Sequence, residues 1–128
     1  MLKTFLAGVL SAVVLIASTV AQAQDYPTKP IRLVVPYPAG GVTDVIARVL
    51  ADEVTQTLGQ RVIVDNRPGA AGNVGSDMVA KSAPDGYTLL VALIGNTISM
   101  SLYKDVPYDF QRDLTPVIQT TTSSNVLV

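Results

Sequence analysis

The sequence of 128 residues contains no cysteine, no histidine and no tryptophan. Without cysteine the chain has no disulfide framework, no thiol nucleophile and no cysteine for lipid attachment. Without histidine it lacks the usual general base, and its carboxylates occur singly, so no metal site or catalytic triad is predicted. We therefore expect a protein without metal or cofactor that is not an enzyme.

Charge of either sign is also scarce. Nine Lys and Arg stand against ten Asp and Glu, for a net charge of −1. A nucleic-acid-binding protein or one that binds acidic membrane surfaces would carry a basic excess. The balance therefore indicates neither a nucleic-acid-binding nor a membrane-binding protein. We also expect the protein to be a monomer.

The N-terminus has the pattern of an export signal. Lys3 precedes an uncharged apolar stretch from Phe5 to Val20, and the small-residue pattern Ala21-Gln22-Ala23 follows. This layout predicts a signal peptide over residues 1–23 and a periplasmic protein. A transmembrane anchor is the alternative, since the apolar run approaches the length of a membrane span.

The remaining chain alternates between strand and helix patterns. Ile31–Val35 is apolar except for Arg32, as in a parallel strand buried on both faces, and an amphipathic helix runs from Thr43 to a C-cap at Gly59. The further elements expected are a strand at Arg61–Asn66, a helix carrying Val74, Met78 and Val79, a strand at Tyr87–Leu93 and a short helix around Ser99–Tyr103. The order βαβαβα predicts an α/β fold with a doubly wound, mostly parallel sheet.

The last part of the chain predicts a loop, a strand from about Thr115 to Thr122, and the opening of another at Asn125. The sequence ends inside that last apolar run. We therefore interpret residues 24–128 as a truncated product or fragment rather than a complete domain.

The segment VPYPAGGVTD joins the first strand to the first helix. It lacks the Gly-Lys-Ser/Thr ending of a Walker A loop and the serine of a nucleophile elbow. What remains is a set of main-chain amides at a helix N-terminus, which favours a negative group such as a carboxylate. The alternative is that Gly40 and Gly41 only turn the chain and that Thr43 caps the helix.

Asp44 has two possible roles. It can stabilise the first helical turn and pair with Arg48 four residues later. It can instead accept hydrogen bonds from an amine, a hydroxyl or an ordered water of a bound ligand.

Two further glycine segments follow strands. Gly69 to Gly75 has the spacing Gly-x-x-Gly-x-x-Gly, which differs from the dinucleotide fingerprint, so close helix-to-strand packing explains it better. Gly95-Asn96-Thr97 follows the third strand and falls on the same rim as the first loop if the sheet is parallel. We interpret these two rim loops as one ligand site, with a simple turn as the alternative for the second.

Several motifs together resemble one family. KPIRLVVPY, GGVTD, VDNRPGAAGNVG and PDGYTLL occur in this order after the signal. They resemble the Bug family, the TctC-like periplasmic solute-binding proteins of tripartite tricarboxylate transporters. The resemblance covers essentially all of the chain after the signal.

The resemblance implies a receptor of two α/β lobes that closes around a small organic anion, with this chain supplying part of the first lobe. It implies that main-chain groups and ordered waters hold the ligand carboxylate in two loops, at Tyr37–Asp44 and Ile94–Thr97. Many relatives read roughly Ser/Thr-x-Gly-Thr in the second loop, whereas here an asparagine stands between the glycine and the threonine. The ligand-binding residues expected are Tyr37, Ala39, Gly40, Gly41, Thr43, Asp44, Gly95, Asn96 and Thr97.

The function expected is therefore delivery of a carboxylate-bearing metabolite to the permease subunits of a tripartite tricarboxylate transporter, with weak binding or none by this chain alone. Two alternatives stay open from the sequence. One is a secreted α/β enzyme fragment whose catalytic residues lie beyond residue 128, and the other is a module that senses a ligand for a membrane partner.

Overall fold

The computed structural model describes residues 25–122. The predicted signal peptide and the predicted strand opening at Asn125 lie outside the described residues. Within residues 25–122, no helix combines the length and the apolar character needed to cross a bilayer.

The centre of the structure is a parallel sheet of three strands: β1, Ile31–Val35; β2, Val62–Asn66; and β3, Thr88–Leu90. β1 lies in the middle, with Ile31 opposite Val62 on one side and Arg32 opposite Thr88 on the other. The apolar run of β1 explains its place, because a central parallel strand is covered on both faces. Val34 and Val35 are fully buried.

Three helices connect and follow the strands: α1, Val42–Leu58; α2, Asn73–Ala80; and α3, Ile94–Leu102. A short 3-10 turn, Ala70–Gly72, leads into α2. The order β1-α1-β2-α2-β3-α3 confirms the predicted doubly wound α/β class.

Helix α1 packs small residues toward the sheet and ends where the sequence predicts. Ala47 and Ala51, one turn apart, are buried, so the helix axis can approach the sheet closely. Gly59 ends the helix with φ 67° and donates its N–H to the carbonyl of Thr55 at 3.0 Å. Glycine fits this position because other residues rarely adopt a positive φ.

The structure corrects four expectations. The third strand is shorter than Tyr87–Leu93, and α3 begins at Ile94, so Ile94–Thr97 is a first helical turn and not a loop. Gly41 is the N-cap of α1, without a side-chain cap, so Thr43 does not cap the helix.

The fourth correction concerns the strand predicted over Thr115–Thr122. This segment forms no ladder with the sheet. Val117 and Ile118 are 78% and 80% exposed. An apolar, β-branched run becomes a strand only where a neighbouring strand accepts its hydrogen bonds, and none of the described residues does so here.

The first described residues are tied to the turn before β3. Tyr26 donates its hydroxyl hydrogen to the carbonyl of Gly86 at 2.7 Å, and the Thr28 N–H donates to the Tyr87 hydroxyl at 2.9 Å. The ammonium nitrogen of Lys29 lies 4.2 Å from the centre of the Tyr87 ring. We call these contacts the N-terminal clasp.

Candidate functional site

The carboxyl ends of the three parallel strands define one rim of the sheet. β1 leads there into the segment Tyr37–Gly41, which we call the rim loop, and β3 leads into the first turn of α3. In open α/β sheets this rim is where ligands bind. The structure thus brings together the two segments that the sequence selects.

The rim loop leads directly into α1, whose first main-chain N–H groups are free hydrogen-bond donors. Gly40 has φ +83°, and Gly41 then enters α1 in an extended conformation. The N–H groups of Gly41, Val42 and Thr43 make no hydrogen bond within residues 25–122, and no side chain caps the helix. Val42 is 79% exposed, so this turn faces open space.

The Asp44 carboxylate lies behind this turn and is occupied by three donors. It is only 3% exposed. One oxygen, Oδ2, accepts the Gly40 N–H at 2.9 Å and Arg48 Nε at 3.0 Å, and Oδ1 accepts Asn66 Nδ2 at 2.9 Å. Hydrogen bonds from Arg48, Gly40 and Asn66, in that order, lower the pKa of Asp44 to about 2. The predicted pairing of Asp44 with Arg48 is confirmed.

Asn66 links this group to the rest of the rim. Its Nδ2 also donates to the carbonyl of Tyr37 at 3.2 Å, and its Oδ1 accepts Arg48 Nη2 at 3.3 Å. The last residue of β2 thereby holds both the rim loop and α1. We call Gly40, Asp44, Arg48 and Asn66 the Asp44 cluster.

Asn96, in the first turn of α3, forms a second cluster with Tyr37, Leu93 and Ser76. Its side chain is fully buried, and Oδ1 accepts the Leu93 N–H at 2.9 Å and the Tyr37 hydroxyl at 3.2 Å. Its Nδ2 donates to Ser76 Oγ at 3.0 Å. Burial, with a smaller contribution from Tyr108, raises the pKa of Tyr37. The Tyr37 hydroxyl thus stays neutral and joins the rim loop to α3.

Glycines before and within α2 allow close packing of this segment against Pro36 and the Asn96 side chain. A Cβ built on Gly75 would lie 2.8 Å from the Cβ of Pro36 and 3.0 Å from the carbonyl oxygen of Arg67. Gly72 has φ +92°, and a Cβ there would lie 2.9 Å from Asn96 Nδ2. The predicted packing role of this segment is therefore confirmed at Gly75.

The other predicted site residues lie at the surface of the same rim. Ala39, Gly95 and Thr97 are exposed, and Thr97 Oγ1 donates to the carbonyl of Ile94 at 3.0 Å. A Cβ on Gly95 would lie 3.6 Å from the Tyr37 hydroxyl, which shows how closely the two segments meet.

Sequence reasoning missed Asn66 and Ser76. A polar residue at the last position of a buried strand was a usable signal for Asn66. Ser76 sits inside a helix pattern, where a small polar residue gives no such indication. Among residues 25–122, no three potential ligating side chains are grouped to hold a metal ion.

Comparison with known proteins identifies relatives over most of the chain. The family described as "Tripartite tricarboxylate transporter family receptor", TctC, matches residues 46–128. Protein BugT of Bordetella pertussis is 47% identical over 86% of this chain and 34% of its own length.

Two solved structures from Rhodopseudomonas palustris share the fold. MatC with bound malate is 38% identical with a TM-score of 0.69, covering 72% of this chain and 32% of that one. A second protein, solved with adipate, is 35% identical with a TM-score of 0.59, covering 66% of this chain and 28% of that one.

The chain spans only 34% to 38% of the length of the first curated relatives that it matches. The family match itself covers well over half of this chain. Members of this family are solute-binding receptors and not enzymes. The chain therefore belongs to the TctC, or Bug, family of periplasmic solute-binding receptors of tripartite tricarboxylate transporters.

Proposed function

We propose that this chain supplies the first-lobe half of a carboxylate-binding site in a periplasmic receptor. Residues 1–23 would direct export, residues 24–128 would form part of the N-terminal lobe, and the loaded receptor would deliver its ligand to the permease subunits of a tripartite tricarboxylate transporter. Membership of the TctC family supports the general role. The observation that supports the ligand class is the uncapped first turn of α1 at the carboxyl ends of the strands.

The chemistry of that turn suits an anion. The amides of Gly41, Val42 and Thr43 are free donors, and the positive end of the α1 dipole adds to their attraction for negative charge. Arg48, further along α1, is engaged by Asp44, so the proposed recognition rests on the main chain. Such a site binds a carboxylate without fixing the rest of the molecule.

The proposed contacts come from both segments of the rim. The first is Tyr37–Asp44 and the second is Gly95–Thr97. Because the Gly40 N–H and the Asn96 side chain are bonded within the protein, the ligand would face the amides beyond Gly40 and the exposed surface of Gly95 and Thr97. The structures of relatives with malate and with adipate support a dicarboxylate as the ligand.

Val42→Pro tests the site directly. Proline is favoured at the first position of a helix, where the amide has no intrahelical partner, and the extended ψ of 168° at Gly41 suits a following proline. The variant removes one free amide from a highly exposed residue without taking a hydrogen bond from the helix. We expect binding of malate or adipate to weaken by about tenfold, the value of one hydrogen bond to a charged group.

The measurement is an NMR titration with millimolar malate and adipate, followed at the amides of Thr43 and Asp44. Val42→Ala is the matched control, because it shortens the same side chain and keeps the amide. Equal affinities of the two variants would show that the first turn of α1 does not belong to the binding site. No response of the unchanged protein to either acid, both as the 128-residue chain and after extension by a second lobe, would contradict the proposed function.

A further inference from the structure

Asp44 is a charged side chain in a position where charge is costly. Removing a carboxylate from water requires compensating hydrogen bonds, and each of its oxygens has them. The three donors come from different parts of the fold: the rim loop, α1 and the end of β2. The carboxylate is therefore the point at which these three parts are joined.

The same contacts leave little of Asp44 for a ligand. Its side chain has 4% of its surface exposed, against 53% for its partner Arg48. A bare carboxylate at this place would also repel the anion that the neighbouring amides attract. Arg48 and the two N–H donors compensate that charge, so the potential of the helix N-terminus remains favourable to an anion.

The Asp44 carboxylate restrains the rim loop at two points. It occupies the Gly40 N–H, and through Asn66 it also restrains the carbonyl of Tyr37. The residues between these two anchors, Pro38 and Ala39, are exposed and have no other restraint of this kind. The next amides along the chain, at Gly41 and Val42, are the free ones.

We propose that Asp44 is a positioning residue of the carboxylate site, which holds the rim loop against α1 and β2 and makes no contact with the ligand. This inference rests on the proposed function for the nature of the ligand, whereas the restraint on the loop is independent of it. Any selectivity for a ligand that carries an amine or a hydroxyl would then come from groups other than Asp44.

The restraint is tested without ligand in the full chain. Fast amide hydrogen exchange is measured by NMR at Gly40, with the unbonded Gly41 amide as an internal reference. In the unchanged protein Gly40 should exchange about tenfold more slowly than Gly41, and Asp44→Asn should bring the two rates closer together, because one of the two accepting oxygens becomes an NH₂ and the remaining neutral oxygen accepts more weakly than a carboxylate.

The matched control is Asp52→Asn, which removes the same charge from an exposed position of the same helix. It should leave the ratio of the Gly40 and Gly41 rates unchanged. An Asp44→Asn protein with the original ratio would overturn the proposal.

Arg48→Gln provides a second variant if Asp44→Asn does not fold, since Arg48 is half exposed. It retains the carboxylate but removes one of its partners. We expect faster exchange at Gly40, by less than in Asp44→Asn. Unchanged or slower exchange would contradict a restraint that depends on the whole Asp44 cluster.

Contact with ligand is tested with succinate, malate and aspartate, which differ only in carrying hydrogen, hydroxyl or ammonium beside one carboxylate. A positioning role predicts that Asp44→Asn weakens all three by the same factor. A selective loss of aspartate binding would show direct contact and overturn the proposal. If the unchanged protein binds none of them even after extension by a second lobe, the proposed function fails while the exchange experiment still decides the role of Asp44.

Discussion

At the scale of single residues, the site is built from polar side chains that face inward. Asp44 and Asn96 were selected from the sequence as candidate ligand contacts, and both are buried and bonded to protein groups. The sequence pattern located the rim correctly, but it could not show which way a side chain turns. That direction depends on Asn66 and Ser76, which lie 22 and 20 residues away from their partners.

The low pKa of Asp44 makes the stability of the fold depend on acid. Arg48, Gly40 and Asn66 lower this pKa from 3.8 to about 2, so the folded state favours the ionised form. The resulting stabilisation is present above about pH 4 and is lost as the pH falls through about 2.

Urea unfolding of the unchanged protein and of Asp44→Asn, from pH 6 to pH 2, measures this effect. The difference in the free energy of unfolding should be constant above about pH 4 and should shrink below it. Asp52→Asn is the control at every pH. A difference that stays constant down to pH 2 would contradict an Asp44 that titrates in this range.

At the scale of elements, the sequence predicts correctly the features that depend only on neighbouring residues. The apolar run of β1, the spacing of apolar residues in α1 and the glycine at its end are contained in short windows of sequence. The length of β3 and the absence of a strand over residues 115–122 depend on what lies beside them in the sheet. Ile94–Thr97 is predicted as a loop because Gly95, Asn96 and Thr97 follow a strand. In the structure the buried side chain of Asn96 accepts the Leu93 N–H and stabilises the start of α3.

The close packing of α2 against the end of β1 predicts that two Gly→Ala substitutions differ in their effect on stability. Gly75→Ala would place a methyl group 2.8 Å from Pro36 Cβ and 3.0 Å from a main-chain oxygen. We expect a loss of stability of about 1–3 kcal/mol despite the better helix propensity of alanine.

Gly95→Ala is the matched substitution, because Gly95 lies in the first turn of α3 and the added Cβ would make an ordinary contact of 3.6 Å with the Tyr37 hydroxyl. Thermal and urea unfolding should separate the two variants, with Gly95→Ala close to the unchanged protein. Equal stability of Gly75→Ala and Gly95→Ala would show that the helix can move away from Pro36 without cost.

At the scale of the whole molecule, the rim provides one side of the proposed binding site. The amides of α1 and the start of α3 face outward from a single sheet, and the chain spans about a third of its curated relatives. A ligand held only from one side keeps much of its surface in water, and enclosed sites bury most of it. The rest of the site would come from a second lobe.

Calorimetry with malate and adipate on two proteins tests this arrangement. One is the 128-residue chain, and the other is the same chain extended by the remaining length of BugT. We expect measurable heat with the extended protein and binding at least about a hundredfold weaker with the short chain, since closure adds contacts and excludes water. Equally tight binding by both would contradict a two-lobed site.

The N-terminal clasp also sets an order of events for the newly made chain. Tyr26 and Thr28 contact partners 60 and 59 residues further along the sequence. During synthesis or passage through a membrane with the N-terminus leading, residues 26–29 have nothing to dock onto until the turn before β3 has followed. The earliest of the described segments to emerge is thus among the last to become fixed.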